Sequence, residues 1–584
     1  MTGQALRTLA TAMTLLGSWA CSKVPGAPAP DAREATAATV DVASWSNPAA
    51  LLEPTSPSAA SAESTDLVRR IAWGPTALNP IFATLPVDYS AMELLFEPVV
   101  VRDNDLTQRI NDTIVEAWEV SDDGLTYRVR FRAGLMWHDD EPWTARDVRF
   151  SWEAILDDQV RALSWKSPAA QLDDVRVVDD RTVEYVHKSV LATALANMSW
   201  PVIPEHVYGK AAERDADPTL MFSDYYMHHN RAEIVGNGAY RLVEWNPVDK
   251  LVVERWPGYA GEPARFARQI LKRQDDFNMA LMMLLSGEVA DTGLSAQQFA
   301  TQTSTAQFEA VANKAYYPSL GVAVVAWNVN GSNPFFTDIR VRRAMALAFD
   351  HEKLLALISY GLYTKPNGIF PPSHWAHNPD IVPYPYDLGR AGELLDEAGW
   401  RTDADDGYRY KEIDGEKVRF EFEVTIGKGS NLGTIPAAVF AESLGKLGVI
   451  MHQRYYEVGT MVALWKEHDF QARFSYANET RDPDFLSIGF ETGAYEWGQN
   501  YGGYSNPRVD ELFEKGRRTL DGEARVPIYQ EIQRLLYEDQ ARLYMWNGAV
   551  LWAFSKDVAG VEMSPLGPAR LRPGWRSWWL RTER

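Results

Sequence analysis

The chain has 584 residues, of which 46% are hydrophobic and 12% aromatic, and its formal net charge is −21. This length exceeds the size at which a single hydrophobic core keeps growing, so we expect two or more lobes. The acidic balance argues against a nucleic-acid partner, because phosphates require an excess of Lys and Arg. Cys21 is the single cysteine, so an intramolecular disulfide is impossible and a cysteine-based metal site is not expected.

The N-terminal segment Leu6–Ala20 is an apolar run with Arg7 near its start. It is too short for an ordinary transmembrane helix and is typical of a signal-peptide core. Cys21 follows directly, which predicts lipid attachment after cleavage, although Ser18 and Trp19 differ from the residues usual before such a cysteine. The alternative is an exported protein that is cleaved elsewhere and loses Cys21.

The next segment, Ser22–Asp66, is rich in Ala, Pro, Ser and Thr. Such a composition buries too little apolar surface to offset the entropy of ordering. We therefore expect a flexible tether and a folded body that begins near Leu67. Val68–Trp73 is predicted to be its first strand.

The most informative stretch is Asn111–Trp152. Within it, Tyr127, Val129 and Phe131 alternate with arginines, which predicts a strand with one buried face. Thr144 then precedes an apolar helical pattern and has Asp147 three residues later, an arrangement close to a capping box. The stretch contains no catalytic constellation, so we expect it to be scaffold.

These residues resemble the signature of the family-5 extracellular solute-binding proteins of ABC transporters, a group that includes dipeptide- and oligopeptide-binding proteins. Asp140 departs from the pattern, which usually has Gly at that position. The residues that match are Ala117, Trp118, Ser121, Asp123, Gly124, Tyr127, Arg132, Gly134, Trp137, His138, Asp139, Thr144, Ala145, Asp147 and Val148.

The resemblance implies an α/β chain with a two-lobed periplasmic-binding-protein fold of the large, three-subdomain type, with a hinge and a ligand cleft between the lobes. Strands that alternate with helices after residue 418 agree with α/β units in the second lobe. The expected divisions are a signal peptide at 1–21, a tether at 22–66, lobe I at 67–325 with an inserted subdomain at about 100–230, lobe II at 326–540, and a return to lobe I at 541–584.

Several further segments are predicted to be structural. Val175–Tyr185 is a hairpin pattern, and Val235–Tyr240 is a glycine-containing turn that lacks a phosphate-loop lysine. Phe277–Leu285 and Asp338–Phe349 are helix patterns. The arginines of the second helix could bind an anion, but we expect them to form a solvated or salt-bridged face.

The resemblance also implies ligand-binding residues in two segments. Asp482 and Asp484 match the family's D-P-D motif. In the peptide-binding members an acidic residue four positions before its proline holds the ligand's α-amino group, and an aromatic residue lies slightly earlier. These positions correspond to Glu479 and Tyr476. A carboxylate facing an ammonium group forms a strong, charge-assisted hydrogen bond.

Two other segments contribute candidates. The expected loop Phe82–Ala91 corresponds to one that offers backbone groups to the ligand in the peptide binders, which indicates Thr84, Leu85 and Pro86. A proline can accept a backbone hydrogen bond but cannot donate one. Tyr501 belongs to a segment that resembles the family's N-Y-x-G-Y-x-N-P pattern and is the last candidate.

The resemblance therefore implies the substrate-binding component of an ABC importer, a monomer without a cofactor, which captures peptides and delivers them to a membrane permease. The same fold could instead bind an oligosaccharide, an opine, nickel or another small solute, or act as a permease-independent sensor or surface lipoprotein. An enzyme is not expected, because the sequence lacks a G-x-S-x-G elbow and an H-E-x-x-H motif. The expected location is the periplasm or cell envelope, with Cys21 as the lipid anchor.

Overall fold

The computed structural model describes residues 65–581, except 76, 84, 159, 161, 163, 210–233, 429–432 and 478–481. All of these belong to one compact unit, Val40–Arg584. The expected signal peptide and nearly all of the expected tether lie outside the described residues. So do three of the predicted site residues, Cys21, Thr84 and Glu479.

Twenty-one strands occur in the described part of the chain. They are β1 (Asp66–Ile71), β2 (Val100–Arg102), β3 (Gln108–Ile110), β4 (Val115–Val120), β5 (Thr126–Phe131), β6 (Leu172–Asp179), β7 (Thr182–His187), β8 (Tyr240–Asn246), β9 (Lys250–Arg255), β10 (Arg268–Arg273), β11 (Asp291–Gly293), β12 (Ala312–Trp327), β13 (Arg401–Thr402), β14 (Arg409–Ile413), β15 (Glu416–Arg419), β16 (Glu421–Gly427), β17 (Ile450–Tyr456), β18 (Ala472–Ala477), β19 (Arg542–Ser555), β20 (Val558–Ala559) and β21 (Trp579–Leu580).

The α-helices of the described residues are α1 (Pro86–Leu95), α2 (Ala145–Leu156), α3 (Lys166–Ala169), α4 (Ala194–Asn197), α5 (Glu205–Tyr208), α6 (Phe277–Leu285), α7 (Ala306–Val311), α8 (Ile339–Leu347), α9 (His351–Ile358), α10 (Leu388–Glu397), α11 (Thr434–Lys446), α12 (Val458–Lys466), α13 (Ser487–Phe490), α14 (Ala494–Trp497), α15 (Pro507–Arg518) and α16 (Gly522–Asp539). A π-helix, Gln298–Gln302, and three short 3-10 helices, Pro80–Phe82, Pro483–Leu486 and Gly574–Ser577, complete the set.

The first lobe is built on two four-stranded sheets that share one hydrophobic core. One sheet has the order β1-β10-β9-β8 and the other the order β4-β5-β7-β6. In β5, Val129 and Phe131 are buried while Arg128 and Arg130 face solvent, as the alternation predicts. The hairpin predicted at Val175–Tyr185 is confirmed as β6 and β7.

The capping box predicted at the start of α2 is also confirmed. The Thr144 Oγ1 atom accepts a hydrogen bond from the Arg146 backbone N–H at 3.3 Å. The Asp147 Oδ2 atom accepts one from the Thr144 backbone N–H at 2.7 Å. Backbone N–H groups at a helix start have no partner within the helix. The side chains of Thr144 and Asp147 therefore accept the hydrogen bonds of two such groups.

A six-stranded sheet of order β11-β19-β12-β18-β16-β17 forms the centre of the second lobe and extends at its β11 end to the first. Side chains of β12 alternate between its two faces. Ala323, Val325 and Trp327 join the core beneath α8, α10 and α11. Val322 and Val324 join a second core formed with α15 and α16. The distal part of β12 is therefore buried on both faces, which explains why residues 322–327 are continuously apolar.

Two long strands connect the lobes. β12 has 16 residues and β19 has 14, and they pair antiparallel along their length. One end of the pair is flanked by β11 and lobe I cores. The other end is flanked by β18 within lobe II.

The pairing of these strands is interrupted at the crossing. Pro318 is opposite Ala549, whereas Val322 is opposite Asn547, so four positions along β12 correspond to two along β19. Such a bulge bends the strand and leaves residues without ladder partners. The divisions of the chain at 325/326 and 540/541 remain predictions.

Two local predictions are wrong. The segment Phe82–Ala91 is not a loop, because α1 begins at Pro86, a residue that is pre-organised for the first helical position. Arg342, expected on a solvated or salt-bridged face, is buried and donates to the carbonyls of Phe336, Thr337 and Asp539.

Among the helices of the described residues, none combines the length and hydrophobicity needed to span a bilayer.

Candidate ligand cleft between the lobes

A large cavity of about 2350 Å³ lies between the two lobes. Its lobe I wall includes Leu85, Pro86 and the segment around Arg570, and its lobe II wall includes β18 and the D-P-D segment that begins at Asp482. Small-molecule pockets usually measure roughly 300–1,000 Å³. The cleft therefore has room for a ligand larger than a single small metabolite.

The predicted ligand residue Tyr476 lies in this cleft, beside the bulge between the crossing strands. Its hydroxyl donates toward Ser319 Oγ at 3.0 Å and the Gly321 carbonyl at 3.1 Å. A Cβ added to Gly321 would lie 2.3 Å from the Tyr476 ring, and one added to Gly548 would lie 2.5 Å from its hydroxyl. The ring thus fits against glycines of both crossing strands and joins β18 to the point where β12 and β19 cross.

The two aspartates of the D-P-D motif also line the cleft, and both are already paired. Asp482 accepts hydrogen bonds from Arg525 at 2.8 and 2.9 Å, and it caps the 3-10 helix through the Asp484 backbone N–H at 3.0 Å. Asp484 accepts from Arg517 Nε at 2.9 and 3.0 Å. Their carboxylates therefore anchor this segment to α15 and α16.

Arg517 also bonds Glu491 and lies 3.3 Å from Glu514, so one guanidinium serves three carboxylates. Burial away from water raises the pKa of Asp484 to about 7, although Arg517 opposes this shift. Burial raises the pKa of Glu491 as well. With Asp482 close by, the cluster contains more carboxylates than arginines, which is why burial prevails over pairing.

Leu85 and Pro86 line the lobe I wall, but much of their backbone serves α1. The Leu85 N–H donates to Asp88 Oδ2 at 3.0 Å. The Leu85 carbonyl accepts from the backbone N–H groups of Asp88 and Tyr89 at 3.0 and 3.3 Å, and the Pro86 carbonyl accepts from the Ser90 hydroxyl at 3.1 Å. What these residues present to the cleft is chiefly their apolar side chains.

Tyr501 reaches the lobe II wall beside an arginine that the sequence analysis did not single out. The Arg473 guanidinium lies 5.2 Å from the Tyr501 ring centroid, 4.4 Å from that of Trp465 and 5.8 Å from that of Phe470. Burial lowers the pKa of Arg473 to about 9. The signal in the sequence was a lone arginine inside the apolar strand β18.

His138 lies outside the cleft and has a structural role. Its Nδ1 accepts from the Gly236 N–H at 3.1 Å, and its Nε2 lies 3.1 Å from the Gly238 carbonyl. Burial lowers its pKa to about 4, so the ring is neutral at pH 7. No group of three or more His, Cys, Asp or Glu side chains is arranged to hold a metal within the described ranges.

Residues 110–496 match the model of the bacterial extracellular solute-binding proteins, family 5. Over 531 residues the chain is 24% identical to the dipeptide-binding protein of Escherichia coli (strain K12), a match that covers 87% of this chain and 94% of that protein.

Solved structures share the fold. The oligopeptide-binding protein AppA from Bacillus subtilis, in complex with a nonapeptide, superposes with a TM-score of 0.79 at 23% identity, covering 89% of this chain and 99% of that one. AgaA from A. tumefaciens R10, in complex with agropinic acid, gives a TM-score of 0.73 at 18% identity, covering 89% and 99%. The expected two-lobed α/β binding-protein fold is thereby confirmed.

Proposed function

This chain belongs to the family-5 bacterial extracellular solute-binding proteins, and from that premise we propose that it is the substrate-binding component of an ABC importer. In this proposal it captures peptides in the cleft between its lobes and delivers them to a membrane permease. The observation that carries the proposal is the large cleft beside the interrupted pairing of β12 and β19.

The crossing strands suit a hinge. Closure requires a few residues that can absorb a change in backbone angles while each lobe moves as a rigid body. The register shift between Pro318 and Val322 supplies residues that are not held by the ladder. Tyr476 joins this point to β18, so movement at the hinge and contact with a ligand would occur at neighbouring residues.

The segment expected to hold the ligand's amino group is bounded by two fixed elements. On one side β18 is paired with β12 and β16 in the sheet of lobe II. On the other side Asp482 and Asp484 are held by Arg525 and Arg517. We propose that these anchors support Glu479, which binds the ammonium group, and that the two aspartates act as positioning residues.

A peptide is the favoured ligand because of the relatives. The Escherichia coli relative is a dipeptide-binding protein, and AppA is an oligopeptide-binding protein whose structure contains a nonapeptide. A cleft of about 2350 Å³ agrees with a ligand of several residues. The agropinic acid bound to AgaA indicates that the same fold also accepts non-peptide solutes.

Calorimetry with a set of short peptides tests the proposal. We expect Glu479→Ala and Glu479→Gln to weaken binding about 10- to 100-fold, since a hydrogen bond to a charged group contributes about 1.5–3 kcal/mol. N-terminal acetylation of the peptide should weaken binding to the unmodified chain to a similar extent. Glu153→Gln, on the exposed face of α2, is the matched control. Equal affinity of wild type and both Glu479 variants would overturn this assignment.

We further propose that the protein is a receptor without enzymatic activity and that Cys21 carries a lipid that holds it at the cell envelope. Replacing Cys21 with Ala should move the protein from the membrane fraction to the soluble fraction. Retention of Cys21→Ala in the membrane fraction would contradict the lipid anchor without affecting the proposed ligand.

A further inference from the structure

Arginines exceed carboxylates on the lobe I wall of the cleft. Arg572 is paired with Glu97, and Arg576 lies 3.5 Å from Glu93 and 3.6 Å from Glu97. These two glutamates are thus already engaged by two arginines. Arg102 and Arg570 add two more positive charges to the same region.

Arg102 and Arg570 both line the cleft. Within the described part of the chain, neither guanidinium has an ion pair or a side-chain hydrogen bond. Arg570 instead lies 5.5 Å from the centre of the Tyr89 ring, on the first turn of α1. Burial, followed by the neighbouring Arg102, lowers the pKa of Arg570 to about 10, although Glu93 acts in the opposite direction. The guanidinium of Arg570 is therefore still charged at pH 7.

The lobe II wall holds a third arginine of this kind. Arg473 is 7% exposed, and its buried Nε atom has no hydrogen-bond partner in the described residues. Arg473 and Arg542 are both opposite Ala326, so they project from the same face of the sheet about 10 Å apart. Arg542 donates to Gly489 at 3.4 Å and packs on Phe490. A buried guanidinium donor without a partner is costly until a hydrogen-bond acceptor completes it, and an anion is the strongest such acceptor.

Most carboxylates that line the cleft cannot serve as these partners, because each is already engaged. Asp482 and Asp484 bind arginines, Asp275 binds Arg273 at 2.7 Å, and Asp276 caps α6 through the Met279 N–H at 2.8 Å. Among the described residues, the cleft is therefore electropositive at two separated places, although the whole chain carries a net charge of −21.

From these opposed arginines we infer that the cleft selects a solute with at least two anionic groups, one received by Arg102 and Arg570 on lobe I and the other by Arg473 on lobe II. If the proposed peptide-binding function holds, on which this form of the inference rests, the solute is an acidic peptide. Because each wall binds one end, the ligand's charge would also hold the lobes together. The chemistry common to a peptide and a non-peptide ligand is a pair of spaced carboxylates.

The first test uses the unaltered full chain, so it does not depend on a variant that folds. Calorimetry compares Ala-Glu-Ala with Ala-Gln-Ala and Ala-Lys-Ala, which differ in one side chain. We expect the Glu peptide to bind about 10- to 100-fold more tightly than the Gln peptide, with the Lys peptide weakest. The preference should shrink as salt is raised, since ions screen charge. Equal affinity for the Glu and Gln peptides would overturn the inference.

The second test removes each cation in turn. Arg570→Gln and Arg473→Gln should each reduce the Glu-over-Gln preference about tenfold or more, whereas Arg570→Lys should restore much of it because the charge is kept. Arg390→Gln, on the exposed surface of α10, is the control and should leave the preference intact. If Arg570→Gln keeps the full preference for the Glu peptide over the Gln peptide, Arg570 on lobe I does not bind an anionic group of the ligand.

A non-peptide arm separates this inference from the proposed function. Propane-1,2,3-tricarboxylate carries spaced carboxylates without a peptide backbone. One outcome is that the tricarboxylate binds the wild type but not Arg473→Gln, while peptides do not bind the wild type. In that case the peptide proposal fails and the anion inference stands. If peptides bind without regard to acidic side chains, the peptide proposal stands and the anion inference fails.

Discussion

Two aspartate-containing segments can be compared directly, because each stands at the start of a helix and each matches a family motif. At α2, Asp147 binds the backbone of Thr144, three residues away, and Thr144 caps the helix in return. At the cleft, Asp482 and Asp484 also support a helix start, but their strongest partners are Arg525 and Arg517, 43 and 33 residues away.

The comparison shows that an aspartate at a helix start can either complete the helix locally or anchor the segment to distant helices. The first segment completes itself from neighbouring residues and remains scaffold. The second depends on α15 and α16 and holds one wall of the ligand cleft. The first should therefore respond to substitution in a small and local way, while the second should respond strongly and affect the cleft.

The largest expected effect is that of Arg517→Met. Its removal leaves Asp484 and Glu491 buried without their common cation, and breaking a buried pair usually costs about 3–5 kcal/mol. Unfolding in urea measures the free-energy change. Arg390→Met, which removes an exposed pair with Glu393, is the control and should cost about 1 kcal/mol or less. Equal losses in the two variants would show that the cleft anchor is no more than a surface contact.

An intermediate effect is expected from pH. The pKa of Asp484 is raised to about 7 in the folded state and is about 3.9 in an unfolded chain. Between these values the folded state binds more protons, so Asp484 makes stability fall as pH rises, by at most about 1.4 kcal/mol per pH unit. Asp484→Asn should remove this fall, so stability measured as variant minus wild type should increase from pH 4 to pH 7.

The free energy of unfolding of the wild type is subtracted because two buried histidines, His138 and His351, give the opposite pH dependence of stability. Burial lowers the pKa of each to about 4, so both make stability rise with pH up to about 6.5. Their contribution is the same in wild type and variant and cancels. Thr301→Ala, at an exposed position without a titratable group, should give a flat difference. A flat difference for Asp484→Asn as well would refute the raised pKa.

The smallest effect is expected from Thr144→Ala. Loss of the cap leaves a helix N–H without its partner and should cost about 1 kcal/mol. Thr144→Ser keeps the hydroxyl and should recover most of the loss. Ligand affinity should not change in either variant, because this cap lies outside the cleft. A change in affinity would mean that the scaffold segment and the cleft are coupled.

Much of the fold was predictable because the responsible interactions are close in sequence. The alternation of β5, the hairpin β6–β7, the helix Phe277–Leu285 and the cap at Thr144 were all found in the structure. The helix α1 was missed, although Pro86 and Asp88 are both helix-start residues, because the resemblance suggested a loop there.

The site was less predictable. Tyr476 was expected to flank a ligand, and the structure places its hydroxyl on Ser319 and Gly321, more than 150 residues away. Arg473, Arg102 and Arg570 were not singled out, because nothing near them in the sequence tells whether a partner will be present. The roles of Glu479 and Thr84 remain predictions.

The sequence by itself determined the family, the α/β class and the local elements, because period, turn and cap chemistry act over a few residues. Only the tertiary structure decided which charges are balanced. Arginines from α15 and α16 reach Asp482 and Asp484, whereas Arg473 and Arg570 meet no carboxylate among the described residues. Ion pairing depends on distance in space, and residues far apart in sequence are brought together only when the lobes assemble.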